Sequence, residues 1–189
     1  MKQIVFFGDS LTAGYALQSP STASFPALLQ KKIDALGFQY KVYNAGLSGD
    51  TTTSALDRLE QVSNIPAEIF VIALGANDML RNHNPLSTAA NLQKIIAMVK
   101  SKHPEVKLIL LGMELPAWIS AAGASQYRNL FRQIAEEHGM PFLPFLLDGV
   151  AGKQEFNIAD GLHPNAAGYQ IIADRVWPIL HSLLQSKEN

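Results

Sequence analysis

Five strand-length runs of β-branched and aromatic residues, at positions 3–7, 39–43, 68–74, 106–111 and 141–145, alternate with stretches whose apolar residues recur every three or four positions. The runs are almost continuously apolar, the pattern of strands buried on both faces. Strand followed by helix, five times over, leaves few architectures open. Parallel strands need long crossover connections, and helices serve as those crossovers on both faces of one sheet. The expected fold class is therefore α/β: a three-layer α/β/α arrangement around a five-stranded parallel sheet, with strand order 2-1-3-4-5 by analogy of element order and size.

The helical stretches carry their own punctuation. Ser24-Phe25-Pro26 opens the first with a capping serine and a first-turn proline, Leu28, Leu29, Ile33 and Leu36 form its stripe, and Gly37 closes it. Ser87 opens a second, with Leu92, Ile95, Ile96 and Val99 on its apolar side. Tyr127, Leu130, Phe131 and Ile134 stripe a third, stopped at Gly139. The last begins near Asn165 and carries Tyr169, Ile171, Ile172 and Val176; Pro178 should kink or restart it. A shorter helix is expected between Ser54 and Gln61. No repeat, linker or low-complexity segment interrupts the pattern, so residues 1–189 are expected to form one domain.

Composition excludes several functions. The chain has no cysteine, which removes thiol catalysis, cysteine-zinc sites and disulfides. Fifteen basic residues against 16 acidic ones give a net charge of −1, an unsuitable balance for a nucleic-acid partner. Charged residues make up 16% of the chain, below the roughly 25% of ordinary domains, which favours a large apolar interior or an apolar groove. No apolar run approaches the ~20 residues of a membrane span, so no stable membrane insertion is expected. The apolar run before Gly8-Asp9 is only Ile4, Val5, Phe6 and Phe7, too short for a signal-peptide core of about 7–15 residues. A complete chain would be cytoplasmic; one whose leader had been removed would be periplasmic or secreted.

In open parallel sheets ligands bind beyond the carboxyl ends of the strands. The segments there are Gly8-Asp9-Ser10-Leu11 after the first run, Asn44-Ala45-Gly46-Leu47-Ser48-Gly49-Asp50 after the second and Gly75-Ala76-Asn77-Asp78 after the third. Asp160-Gly161-Leu162-His163-Pro164 follows a loop after the fifth. Together they hold what acyl transfer needs. A serine hydroxyl is a weak nucleophile, a histidine can take its proton, and a carboxylate can fix the imidazole and stabilise its charged form. Ser10, His163 and Asp160 are the set spread across these loops. A tetrahedral intermediate also needs donors for its oxyanion, and the Ser10 N–H, the Gly49 N–H and the Asn77 amide are suitable, with Gly46 a rival to Gly49 on steric grounds. Taken singly, each has a plainer reading: Gly-Asp-Ser and Asn77-Asp78 as turns, Asp160 as an N-cap of the last helix, the glycines as relief of backbone strain. The coincidence of four complementary loops on one sheet edge favours catalysis.

These four blocks resemble, in order and position, those of the GDSL/SGNH hydrolases, over essentially the whole chain. The likeness is closest to the bacterial arylesterase, thioesterase and lysophospholipase branch, through Gly8-Asp9-Ser10-Leu11-Thr12-Ala13-Gly14-Tyr15, Ser48-Gly49-Asp50-Thr51, Leu115-Pro116-Ala117 and Phe142-Leu143-Pro144-Phe145. The resemblance implies the SGNH hydrolase fold, Ser10 as nucleophile, His163 as base, Asp160 as its partner, and an oxyanion hole of Ser10, Gly49 and Asn77. It places Gly49 ahead of Gly46 and gives Asp9 and Asp78 a part in shaping loops.

The implied substrates are short-to-medium acyl or aryl esters and thioesters, lysophospholipids among them, without cofactor or metal. A monomer or weak homodimer is expected. Leu11, Met79, Leu80, Leu115, Pro116, Trp118 and Leu162 could line an apolar groove beside the serine, with 114–125 as a mobile lip. Carbohydrate deacetylation or acyl transfer on the same machinery remains an alternative. So does a non-catalytic flavodoxin-like receiver or flavin module, although Phe145-Leu146-Leu147 supplies no receiver lysine and Asp9 is unfavourable beside a flavin phosphate.

Overall fold

A computed structural model describes residues 1–113, 127 and 129–186. Strands β1 (Lys2–Gly8), β2 (Tyr40–Gly46), β3 (Ala67–Ala73), β4 (Lys107–Leu111) and β5 (Phe142–Leu143) form one parallel sheet in the order β2-β1-β3-β4-β5. The described α-helices are α1 (Ser10–Ala13), α2 (Pro20–Ala23), α3 (Phe25–Ala35), α4 (Thr52–Ser63), α5 (Ala76–Leu80), α6 (Pro85–Lys102), α7 (Leu130–His138) and α8 (Ala166–Gln185), with a short 3-10 helix at Gln154–Phe156. α3 packs on α8, while α4 packs on α6 and α6 on α7. Right-handed crossovers put these two groups on opposite faces, because the chain moves one way from β1 to β2 and the other way from β2 through β5. The expected three-layer α/β/α fold and strand order are both present.

Burial follows position in the sheet. Ile4, Val5, Phe6 and Phe7 of β1 and Ile69, Phe70, Val71 and Ile72 of β3 are completely buried, and each such side chain contributes about 1.5–3 kcal/mol of hydrophobic stabilisation. The edge strands depart from the expectation of two buried faces. On β2 only Tyr40 and Ala45 are buried, and Tyr43 is half exposed. β5 contracts from the anticipated 141–145 to two residues, because Pro144 has no N–H to donate and the chain turns there, Leu146 N–H reaching back to the Gly112 carbonyl.

Helix starts shift for reasons of capping. Ser24 stands at the N-cap of α3 but makes no side-chain cap bond; its hydroxyl lies 3.4 Å from the Asn44 amide instead. α6 begins at Pro85 rather than Ser87, since Asn84 accepts the Leu86 N–H at 2.9 Å. α4 is longer than 54–61 because Thr51 and Ser54 form a reciprocal capping box. α8 neither stops nor restarts at Pro178: buried Tyr169, Ile172 and Val176 before it and Leu180 and Leu184 after it hold one continuous stripe against the core.

The register sets the site. Gly8 pairs with Gly46 on one side and with Ala73 on the other, so β1, β2 and β3 end level. A Cβ on Gly46 would collide with the backbone of Ala13, so this glycine serves the close approach of α1 to β2.

Candidate active site

Each level strand end runs directly into a polar loop. After β1, Asp9 accepts the Leu11 N–H at 3.0 Å and so caps α1, which places Ser10 at the first helical position. The Ser10 N–H there has no intrahelical acceptor and is free for another partner. Its carbonyl lies 3.4 Å from the hydroxyl of buried Tyr169. The Ser10 Oγ faces His163 Nε2 at 3.0 Å, across 153 residues of sequence.

His163 and Asp160 share one turn between β5 and α8. Asp160 Oδ2 is 2.6 Å from His163 Nδ1, while its Oδ1 accepts the backbone N–H groups of Leu162 and His163 at 2.8 and 2.9 Å. The His163 N–H, then the imidazole, then the Leu162 N–H hold the Asp160 carboxyl down at about 2, so it is ionised at neutral pH. Asp160 does not cap α8; Asn165 does, through Ala167 and Gly168. The Tyr15 ring packs on the imidazole with centroids 4.6 Å apart.

Gly49 and Asn77 lie beyond the ends of β2 and β3. Gly49 has φ +85°, a left-handed conformation that favours glycine. Asn77 Nδ2 gives one hydrogen to the Asp50 carbonyl at 2.8 Å, and its second remains available. Beneath these loops lie three buried carboxylates. Asp78 accepts from the Thr52 N–H at 2.8 Å and from the Thr52 and Thr88 hydroxyls at 2.5 and 3.1 Å. Asp50 is bound by Ser54 at 2.9 Å and Arg58 Nε at 2.6 Å. Arg58 also reaches the carbonyls of Ala45 and Gly8 at 2.9 and 3.0 Å, joining the ends of β2 and β1. Burial, opposed by the Leu11 N–H and assisted by Asp50 and Asp78, pushes the Asp9 carboxyl up to about 7. Among the described residues no group of three or more His, Asp and Glu is arranged to hold a metal ion.

A cleft of about 340 Å³ opens beside Ser10 and His163. Leu11, Met79, Leu80 and Leu162 line it as anticipated, together with Met113, Phe145 and Leu147, which sequence reasoning did not assign. Phe145 and Leu147 were hidden in an apolar run read as strand and its continuation; nothing in their pattern distinguishes cleft wall from core. Tyr15, Arg58, Tyr169 and Arg81 were likewise unassigned, since only the folded chain brings them to these loops. Leu115, Pro116, Trp118 and the anticipated lip at 114–125 lie outside the described residues.

A doubly wound parallel sheet that lines up serine, histidine and aspartate at its strand ends defines a serine hydrolase framework. The model of the GDSL-like lipase/acylhydrolase family matches residues 6–171. The chain belongs to that family. It is 34% identical to esterase TesA of Pseudomonas aeruginosa over 96% of this chain and 89% of the relative. It is 33% identical to thioesterase 1/protease 1/lysophospholipase L1 of Escherichia coli strain K12 over 90% of this chain and 79% of the relative. A crystal structure of TesA superposes with a TM-score of 0.88 at 32% identity, covering 96% of this chain and 99% of that one.

Proposed function

We propose that the protein hydrolyses carboxylic esters and thioesters with short-to-medium acyl or aryl groups through an acyl-enzyme on Ser10. The observation that carries this reading is the unbroken file from Ser10 Oγ to His163 Nε2, 3.0 Å, and from His163 Nδ1 to Asp160, 2.6 Å, at the mouth of an apolar cleft. His163 accepts the hydroxyl proton as Oγ adds to the carbonyl carbon, and ionised Asp160 stabilises the imidazolium. The N–H groups of Ser10 and Gly49 and the free hydrogen of Asn77 receive the oxyanion. Collapse of the intermediate breaks the bond to the leaving oxygen or sulfur, which takes the proton from His163. Water, deprotonated by His163, then releases the acid and restores Ser10.

The apolar cleft lining favours an acyl or aryl group over an acetylated sugar. Ser10→Ala is expected to lower kcat for p-nitrophenyl butyrate by at least about 10³-fold while the protein remains folded. Retention of wild-type turnover would overturn the assignment.

A further inference from the structure

α5 bears more than Asn77. Arg81, the residue that ends this helix, donates from Nη2 to the Gly49 carbonyl at 3.0 Å. Asn77 donates to the next carbonyl, that of Asp50, at 2.8 Å. These two side chains are four residues apart, on one face of one helical turn. α5 therefore grips two successive peptide units of the loop that carries Gly49, and one of the gripping groups is itself a proposed oxyanion donor. We propose that Arg81 is a positioning residue of the reaction, fixing the spacing between the Gly49 N–H and the Asn77 amide. The inference rests on the serine hydrolase reading above.

Three observations support it. Gly49, at φ +85°, sits in a broad conformational basin that its own backbone does not restrict. From Leu47 to Gly49 the loop has little internal fixing: Leu47 N–H bonds the Gly8 carbonyl at 3.0 Å and Asp50 N–H bonds the Leu47 carbonyl at 3.2 Å, while Leu47 and Ser48 are exposed; only beyond them is Asp50 held by Ser54 and Arg58. The Arg81 end is, by contrast, held. Its N–H bonds the Asn77 carbonyl at 3.0 Å, and the loop beyond it is anchored by His83 N–H to the Asp78 carbonyl at 2.8 Å and by the Tyr127 hydroxyl to the His83 carbonyl at 2.8 Å.

An exposed arginine-carbonyl bond adds little to global stability, so its removal should act on the transition state and leave the fold intact. Arg81→Ala is expected to lower kcat for p-nitrophenyl butyrate about tenfold with KM changed less than about twofold. Arg81→Lys, which still donates to the Gly49 carbonyl, should recover most of that loss. Phosphonylation of Ser10 by p-nitrophenyl ethylphosphonate, followed by mass spectrometry, should slow in parallel at an unchanged melting temperature. An unchanged kcat, a rise in KM alone, or a loss that lysine does not reduce would overturn the positioning role. Wild-type protein inert to both reagents would overturn the hydrolase reading along with it; an active wild type beside an equally active Arg81→Ala would overturn this inference only.

Discussion

Asp9 and Asp160 are both carboxylates within reach of the reaction, and their surroundings push them in opposite directions. Asp160 lies on an exposed turn and receives two backbone N–H groups and the imidazole, which keep it near 2. It therefore stays ionised over the working range, and its charge beside the imidazole does not change there. Asp9 is buried behind the serine beside two other acids, and burial, against the backbone N–H groups of Leu11 and of Asp9 itself, raises it to about 7. An unfolded aspartate titrates at about 3.9. A native pKa above the unfolded one means that the folded state holds the proton more tightly. The resulting stabilisation is complete below about pH 4 and is lost as pH rises through about 7. Asp9→Asn keeps an oxygen for the Leu11 N–H but has no proton to lose, so between pH 5 and 8 it should lose less stability than wild type. Urea unfolding of both proteins at the two pH values checks this; identical pH dependence would contradict it.

At the scale of elements, α8 makes a quantitative case. Pro178 deprives the Asp174 carbonyl of its helical partner, yet the helix runs from Ala166 to Gln185 because its buried stripe continues on both sides. Pro178 itself is exposed. Pro178→Ala should restore the missing bond with little loss of packing and stabilise the protein by about 1 kcal/mol or more in denaturant titration. A destabilised variant would mean that the proline's restriction of the unfolded chain outweighs the missing bond. This helix also shows what a sequence conveys about elements. Period and apolarity located all five strands and the long helices, because burial against a sheet selects those patterns directly. They did not reveal α1, α2 or α5, which span only four or five residues and cannot display a stripe. Nor did they give the ends of β5 and α6, which depend on a missing proline N–H and an asparagine cap.

At the scale of the whole molecule, one sheet edge gathers groups from residues 8 to 163. Ser10, His163 and Asp160 were legible because few residue types perform that chemistry and each sat directly beyond a strand or at the head of the last helix. Gly49 could not be separated from Gly46 by spacing; the difference is geometric, one carrying a positive φ and the other lying too close to α1 to admit a Cβ. The supporting groups were not legible. Arg58 joins the ends of two strands to Asp50, and Arg81 reaches Gly49 across 32 residues. Long side chains of this kind leave no local pattern, because their partners are carbonyls that every residue possesses.

The turn that carries Asp160 and His163 closes mainly on itself. Asp160 binds the N–H groups of its own turn, Ile158 N–H bonds the His163 carbonyl at 2.9 Å, and Asp160, Gly161 and Leu162 are exposed. The nucleophile, by contrast, issues from the most buried strand pair of the sheet. Base and nucleophile thus belong to regions of unequal durability, and gradual heating should separate them. Backbone amides near 158–163 should exchange with deuterium well before those of β1 and β3, and hydrolysis should fade at temperatures where far-ultraviolet ellipticity is still native. Coincident loss of hydrolysis and ellipticity would show instead that turn and sheet melt as one unit.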